Sequence, residues 1–394
     1  MRILVVHNGY QKHGGEDVVV EAEERLLRAH GHSVVRYRRH NEELRGRGPL
    51  DILTAGMQTV WSKASAREVA ALLAKEKPGV VHFHNIFPLI SPAAYYACEE
   101  AGVPVVQTLH NYRLLCPGAY FLRDGRVCEE CLGRSVPWPG VVHGCYRESR
   151  AATAAVATMI AVHRGMNTWR EKVGVYIALS EFARKKFIEG GLPGERIVVK
   201  PNFVDPDPGL KCGAGEYALY VGRLSVEKGL RVLLGAWGQL RGRIPLRIAG
   251  DGPLKEEIAA EIKTRGLSGV DLLGRLAPSE IVALMQGARF LVLPSVCYEN
   301  FPLAVAEAFA CGLPVIASRL GSMAEIVADG DTGLHVTPGD SAELAAKVDW
   351  AWRNPDKLQE LGKAGRQEYV SKYGPEQNYK RLIGIFERAI EGKS

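Results

Sequence analysis

The stretch from Leu291 to Ser318, LVLPSVCYENFPLAVAEAFACGLPVIAS, leaves few folds open. It reads as a buried strand (Phe290 to Leu293), a loop, a helix (Pro302 to Ala310) and a second buried strand from Pro314. Two short, wholly apolar strands joined through a helix fit a parallel sheet with both faces covered. Glu299 stands in the loop, and Glu307 stands inside a helix whose other members are almost all apolar. A carboxylate packed among such side chains is costly unless something pairs with it. Glu307 is therefore read as held for a hydroxyl-bearing ligand. Pro302 suits the first helical position, with Asn300 or Phe301 near the cap. The free amides of Phe301, Leu303 and Ala304 then point beyond the strand end, where a helix N-terminus binds phosphate. Amides for phosphate, one carboxylate beside them and another further along fit a sugar nucleotide.

The same alternation runs through the chain. Strands are expected at Ile3 to His7, Val34 to Tyr37, Val80 to Phe83, Val103 to Leu109, Val175 to Leu179 and Ile197 to Lys200, with a first helix from about Asp17 to His30. A Pro-, Gly- and Asp-rich linker, PNFVDPDPGLKCGAGE, follows and marks a domain boundary. Further strands are expected at Tyr217 to Val221, Leu246 to Ala249, Val270 to Leu273, Phe290 to Leu293 and Val315 to Ala317. Repeated strand–helix units with short connections imply an α/β fold with parallel sheets and right-handed crossovers. The expected domains are 1–200, with an insertion at 113–150, and 201–372. A closing helix at 373–394 is expected to pack back on the first domain. Two such domains face each other across a cleft, with ligands beyond the strand C-termini.

A chain of 394 residues suits two cores. It opens on an apolar strand without the regions of a signal peptide, and no run of residues is long and apolar enough to span a bilayer. The expected location is cytoplasmic, with peripheral attachment to the inner membrane face compatible with the charge distribution. Between Arg134 and Lys186 nine Lys or Arg face three Glu, an excess equal to the whole formal net charge of +6. That segment fits a membrane surface or an anionic acceptor, or an ordinary solvated face. With no aromatic interleaving or nucleic-acid motif, no nucleic-acid partner is expected.

Gly14-Gly15-Glu16 after the first strand, His110 after the fourth, Pro201-Asn202 at the linker, GRLSVEKG with Arg223 and Lys228, GDGP at Gly250 to Pro253, and Glu299 with Glu307 together resemble the retaining glycosyltransferases of family 4. That resemblance implies the GT-B fold of two Rossmann-like domains facing across a cleft. It further implies a UDP- or GDP-sugar donor and no catalytic metal. Glu307 would hold the ribose hydroxyls. Glu299 would bind the transferred sugar, with the backbone of Asn300, Phe301, Pro302 and Leu303 on sugar and diphosphate. Arg223 and Lys228 would grip the diphosphate, and His110 would meet the donor sugar. Gly14 and Gly15 would admit phosphate or acceptor, and backbone around Gly250 with Arg275 would read the base. His110, Glu299, Arg223 and Lys228 form the catalytic set, and the acceptor is expected to be lipid-linked or a growing glycan. Asn300 and Pro302 stand where the family more often has glycine. A nucleotide-sugar epimerase and a non-catalytic sugar-nucleotide binder are the alternatives. Glycosyl transfer develops negative charge on a departing diphosphate, and fixed cations and amides can stabilise it without a metal. The two Asp-x-Asp sequences, Asp205 to Asp207 and Asp329 to Asp331, fall in the linker and in a turn.

Cys116, Cys128, Cys131 and Cys145 lie in the insertion, with CEEC at its centre. In a chain without secretory features this spacing fits a four-thiolate structural zinc site. Disulfides, free thiols and an iron–sulfur cluster are the alternatives. Cys98, Cys212, Cys297 and Cys311 read as small packing residues.

Overall fold

The computed structural model describes residues 1–11, 14–44, 56–211 and 213–392. Cys212 and residues 12 and 13 of the first loop lie outside the described residues. The chain divides into two compact units. The first comprises Met1–Phe121, Cys128–Pro201 and Asn378–Ser394, and the second comprises Leu122–Val127 and Asn202–Gln377.

Strands in chain order are β1 (Arg2–Gly9), β2 (Ser33–His40), β3 (Val80–Phe83), β4 (Val105–Thr108), β5 (Leu122–Arg123), β6 (Arg126–Val127), β7 (Val175–Ala178) and β8 (Ile197–Val199). The first unit's sheet is parallel, in the order β2-β1-β3-β4-β7-β8, while β5 and β6 make a separate antiparallel hairpin. Every residue of β3, β4 and β7 is buried, as expected of strands covered on both faces. The helix Gly15–Ala29 starts two residues earlier than the sequence suggests. Its cap is Gly14, whose amide donates to Asp17 Oδ2 at 2.8 Å, and Glu16 and Asp17 complement the helix dipole in the first turn. The helix Pro375–Glu391 places Leu382, Ile385, Phe386 and Ala389 in one buried cluster with Ile3, Val5, Val20, Val80, Val106 and Ile177.

The second unit holds β9 (Tyr217–Val221), β10 (Leu246–Ala249), β11 (Val270–Gly274), β12 (Ala288–Leu293), β13 (Val315–Ser318) and β14 (Gly333–Val336). They form one parallel sheet in the order β11-β10-β9-β12-β13-β14. The sequence did not separate β14 from its surrounding turns. The helix after β12 runs Leu303–Ala310, so Pro302 is its N-cap and not its first helical residue. Pro302 has φ −73° and ψ 101°, an extended conformation that a proline ring adopts without strain.

In each sheet the strand order reverses beside the first strand of the unit, between β1 and β3 and between β9 and β12. Connections leave these neighbours toward opposite faces, which opens a crevice at their C-terminal ends.

Phe386 is fully buried, and truncating it removes a large part of the contact between the last helix and the first sheet. Phe386→Ala should lower unfolding free energy by about 3–5 kcal/mol, read from denaturant melts of the full chain. A loss below about 1 kcal/mol would show that this helix docks without contributing to the core.

Candidate functional site

In the second unit three loops meet at the C-terminal ends of β10, β9 and β12. The loop after β9 carries Arg223, Ser225, Glu227, Lys228 and Gly229. Gly229 has φ +70°, and a Cβ there would stand 1.9 Å from the Pro294 carbonyl oxygen, so only glycine allows this approach. The amide of Val296 donates to the Glu227 carbonyl at 3.0 Å, fastening the loop after β12 to the loop after β9. Gly250 closes on the other side, where a Cβ would meet the Gly222 carbonyl oxygen at 1.9 Å.

This fastening brings Lys228 Nζ to 2.7 Å from Glu299 Oε1, across the reversal between β9 and β12. Ser295 Oγ donates to the same oxygen at 2.8 Å. Burial works against the Lys228 charge, but the facing Glu299 carboxylate, with Cys297 and Tyr220, more than offsets it and raises the lysine pKa. Lys228 is therefore a fixed cation. Arg223 is exposed, and its carbonyl is anchored by the Tyr220 hydroxyl at 2.9 Å. Asn300, Phe301 and Pro302 are buried, while Leu303 and Ala304 at the helix start are half-buried. Glu307 sits one turn on, and no hydrogen bond or ion pair reaches its carboxylate among the described residues. Desolvation alone lifts its pKa to about 7. Arg275 follows β11, one strand beyond β10.

In the first unit Gly14 caps the first helix, and a Cβ on Gly15 would meet nothing within 4 Å. Gly15 thus opens onto free space rather than enforcing a tight packing contact. Asp17, which accepts from the Gly14 amide through Oδ2, also accepts from His7 Nε2 through Oδ1 at 2.9 Å. His110 stacks on His84, with His84 Nδ1 and His110 Nε2 2.9 Å apart. Burial, together with the nearby His7, His82 and Lys200, holds His110 neutral well below the usual histidine range. Behind it lie His82, His84, Glu23 and Lys200, all buried, none of which the sequence reading singled out. The signal was present in VVHFHN, because strand alternation puts His82 and His84 on one face.

The four insertion cysteines lie near enough to act on one another's ionisation. Cys116 is buried and receives amide donation from Phe121, Gly118 and Ala119, and Cys131 receives it from Gly140. Burial, with the other three thiols adding to it, pushes Cys131 up to about 12. Among the described residues one group of three or more ligand atoms has every pair within 4.8 Å, namely Glu23, His82 and His84. The cysteine sulfurs are not drawn together that closely. Of the Asp-x-Asp sequences, Asp207 is held in the fork of Arg366 by two bonds of 2.7 Å, and Asp329 accepts the His335 amide at 2.8 Å.

Residues 13–208 match the family described as Glycosyltransferase Family 4, and residues 208–368 match Glycosyl transferases group 1. Glycogen synthase of Mycobacterium tuberculosis is 38% identical over 159 residues, covering 39% of this chain and 38% of the relative's own length. Alpha-maltose-1-phosphate synthase of Mycolicibacterium smegmatis is 28% identical over 320 residues, covering 76% of each. The first of these matches therefore spans about two-fifths of that relative, the second about three-quarters. The crystal structure of Anabaena Alr3699/HepE in complex with UDP superposes with a TM-score of 0.70 at 19% identity, covering 98% of this chain and 100% of that one. Its UDP-glucose complex gives 0.70 at 20% identity, covering 98% and 99%. These likenesses show a shared fold.

The Glu307 shift also affects stability. A carboxyl lifted to about 7 in the folded chain favours folding fully below its unfolded value near 4.5, and this contribution is lost as pH rises through 7. Glu307→Gln should therefore leave stability at pH 5 nearly unchanged and raise it by about 1–3 kcal/mol at pH 8. Equal effects in denaturant melts at both pH values would show that the carboxylate is not desolvated.

Proposed function

Because this chain belongs to the family 4, group 1 glycosyltransferases, with the two family matches running end to end over residues 13–368, we propose that it transfers a sugar from a nucleotide-sugar donor with retention. The acceptor is a lipid-linked or cell-surface glycan, and the reaction proceeds without a catalytic metal. The observation that carries this reading is the Lys228–Glu299 pair at 2.7 Å, set beside the amides of the Leu303–Ala310 helix at the reversal of the second sheet. Lys228, with Arg223 beside it, neutralises the departing diphosphate, as do the helix-start amides of Leu303 and Ala304. Glu299 is left one oxygen for a sugar hydroxyl, since Lys228 and Ser295 both address the other. Glu307 takes the ribose hydroxyls, which supply the partners that its carboxylate lacks. Gly250 and Arg275 serve the base, and Gly14, Gly15 and His110 serve the sugar and acceptor. UDP is favoured over GDP because the HepE structures of the same fold hold UDP and UDP-glucose.

The basic segment supports attachment to an anionic membrane surface on the cytoplasmic side. Trp138, Val136 and Val142 are exposed at 54%, 51% and 50%, and the Arg134 guanidinium lies over the Trp138 ring at 5.4 Å. An aromatic side chain beside arginine suits the interface of a bilayer. No helix among the described residues is long and apolar enough to cross one.

Incubating the chain with a panel of UDP- and GDP-sugars, with and without vesicles carrying anionic phospholipid and crude lipid acceptor, should release nucleotide from one donor, faster with vesicles. Lys228→Ala should lower that turnover by about 100-fold or more. An epimerised donor, or binding without turnover, would replace the transferase reading by one of its two alternatives.

The insertion holds a structural zinc ion in this proposal. Amide donation to Cys116 and Cys131 is the support such sulfurs need as thiolates. Freshly purified chain should carry one zinc, lost together with thermal stability in Cys128→Ser. Well under one zinc per chain would remove the metal from this account.

A further inference from the structure

The buried group behind His110 is more specific than a polar core needs to be. Lys200 Nζ donates to Glu23 Oε1 at 2.5 Å, with the two side chains 1% and 2% exposed. The other oxygen, Glu23 Oε2, has no hydrogen bond, nor do the buried atoms His84 Nε2 and His82 Nδ1 that face it at 3.6 and 3.8 Å. Three buried polar atoms converging this way invite a divalent ion, and each residue has an outer partner of the kind metal ligands have. Charge decides against it. Glu23 and Lys200 already cancel, and His82 and His84 are held neutral by burial, so an added divalent ion would leave two uncompensated positive charges in the interior.

Without a metal, the proton positions follow from donor and acceptor rules. At 3.6 and 3.8 Å neither nitrogen hydrogen-bonds Glu23 Oε2. A ring lone pair turned to a carboxylate is repelled and an N–H is attracted, so the arrangement favours hydrogen on both facing nitrogens. A neutral imidazole has a single N–H, which leaves His82 Nε2 and His84 Nδ1 as acceptors. His82 Nε2 meets the Thr108 hydroxyl at 2.8 Å, which can donate to it. His84 Nδ1 meets His110 Nε2 at 2.9 Å, which must then carry the proton. The remaining nitrogen, His110 Nδ1, receives no hydrogen bond from the described residues.

We propose that Lys200, Glu23 and His84 are positioning residues that lock His110 as its Nε2–H tautomer, so that its Nδ1 accepts a hydrogen bond from a substrate hydroxyl. The consequence is selectivity for a hydroxyl donor at that position over a carbonyl or ether oxygen. This rests on the reading of His110 as a sugar- or acceptor-facing residue.

Long-range nitrogen–proton NMR of the histidine-labelled full chain tests it, with His110 assigned through His110→Gln. His110 and His84 should both appear as neutral Nε2–H tautomers at pH 7.5. Either one found as the Nδ1–H tautomer overturns the proposal, and the tautomer itself is read on the wild-type chain. In Glu23→Gln the His110 signal should become a mixture of tautomers. UDP release from UDP-glucose should then fall by about 10- to 100-fold in kcat with KM within about twofold. An unchanged tautomer in Glu23→Gln also overturns it, as does a bound metal that His82→Gln loses and Cys128→Ser keeps. If the wild-type chain turns over no nucleotide sugar, the transferase reading fails while the tautomer result stands.

Discussion

A parallel sheet whose strand order reverses cannot close its own surface at the reversal, because the loops leaving the two neighbouring strands diverge to opposite faces. Both units contain this opening, and both invest their side-chain chemistry there. In the first unit the end of β1 and the loops after β2 and β3 are bound together by asparagines. Asn85 Nδ2 donates to the Asn8 carbonyl at 2.8 Å, and Asn8 Nδ2 donates to Asn41 Oδ1 at 2.8 Å. Asn8 Oδ1 receives the Leu89 amide at 3.2 Å. In the second unit glycines bring the backbones of the corresponding loops into contact. Side-chain amides and close backbone approach solve the same problem, which is to hold irregular chain rigid where no strand or helix can reach.

The two units also use buried charge differently. Lys200 and Glu23 are sealed from solvent, whereas Lys228 and Glu299 keep 24% and 12% of their side chains exposed. A sealed ion pair contributes little to stability against an apolar replacement, yet removing one partner costs about 3–5 kcal/mol. In the proposed tautomer lock, the geometry of this pair is what His84 and His110 depend on. The pair in the second unit is half-open instead. In the proposed function its charges would be shared with an incoming anion, because the facing carboxylate raises the Lys228 pKa and Glu299 still offers an oxygen.

Most strands and their order of appearance, though not β5, β6 and β14, were legible in the sequence because parallel strands buried on both faces read as short apolar runs, as β3, β7 and β9 do. Glu307 was legible for a related reason, since one carboxylate in the run Leu303–Ala310 contradicts its surroundings. The Lys228–Glu299 contact was not legible as a pair, being 71 residues apart in sequence and made only when two loops lock. Glu23 and Lys200 stand 177 residues apart, and each looks like an ordinary surface charge in its own segment. His84 was the part that could have been found, from its alternation with His82. The insertion's CEEC spacing was legible, but spacing does not encode how closely the sulfurs gather.

Asn300 and Pro302, which occupy places that more often hold glycine, acquire a physical meaning from the helix start. Pro302 has no amide to give, and the Val305 amide is spent on the Pro302 carbonyl at 2.9 Å. Within the first turn this leaves the amides of Leu303 and Ala304 for a phosphate. The loop gains order instead, since the Phe301 ring packs edge-on against Tyr373 at 5.6 Å and both are buried. In the proposed reaction, fewer amides on this loop shift the work of neutralising a diphosphate onto side chains. The fixed ammonium of Lys228 and the exposed guanidinium of Arg223 would then be the larger contributors, and the proposed site would depend more on the locking of the β9 and β12 loops than on the helix dipole alone.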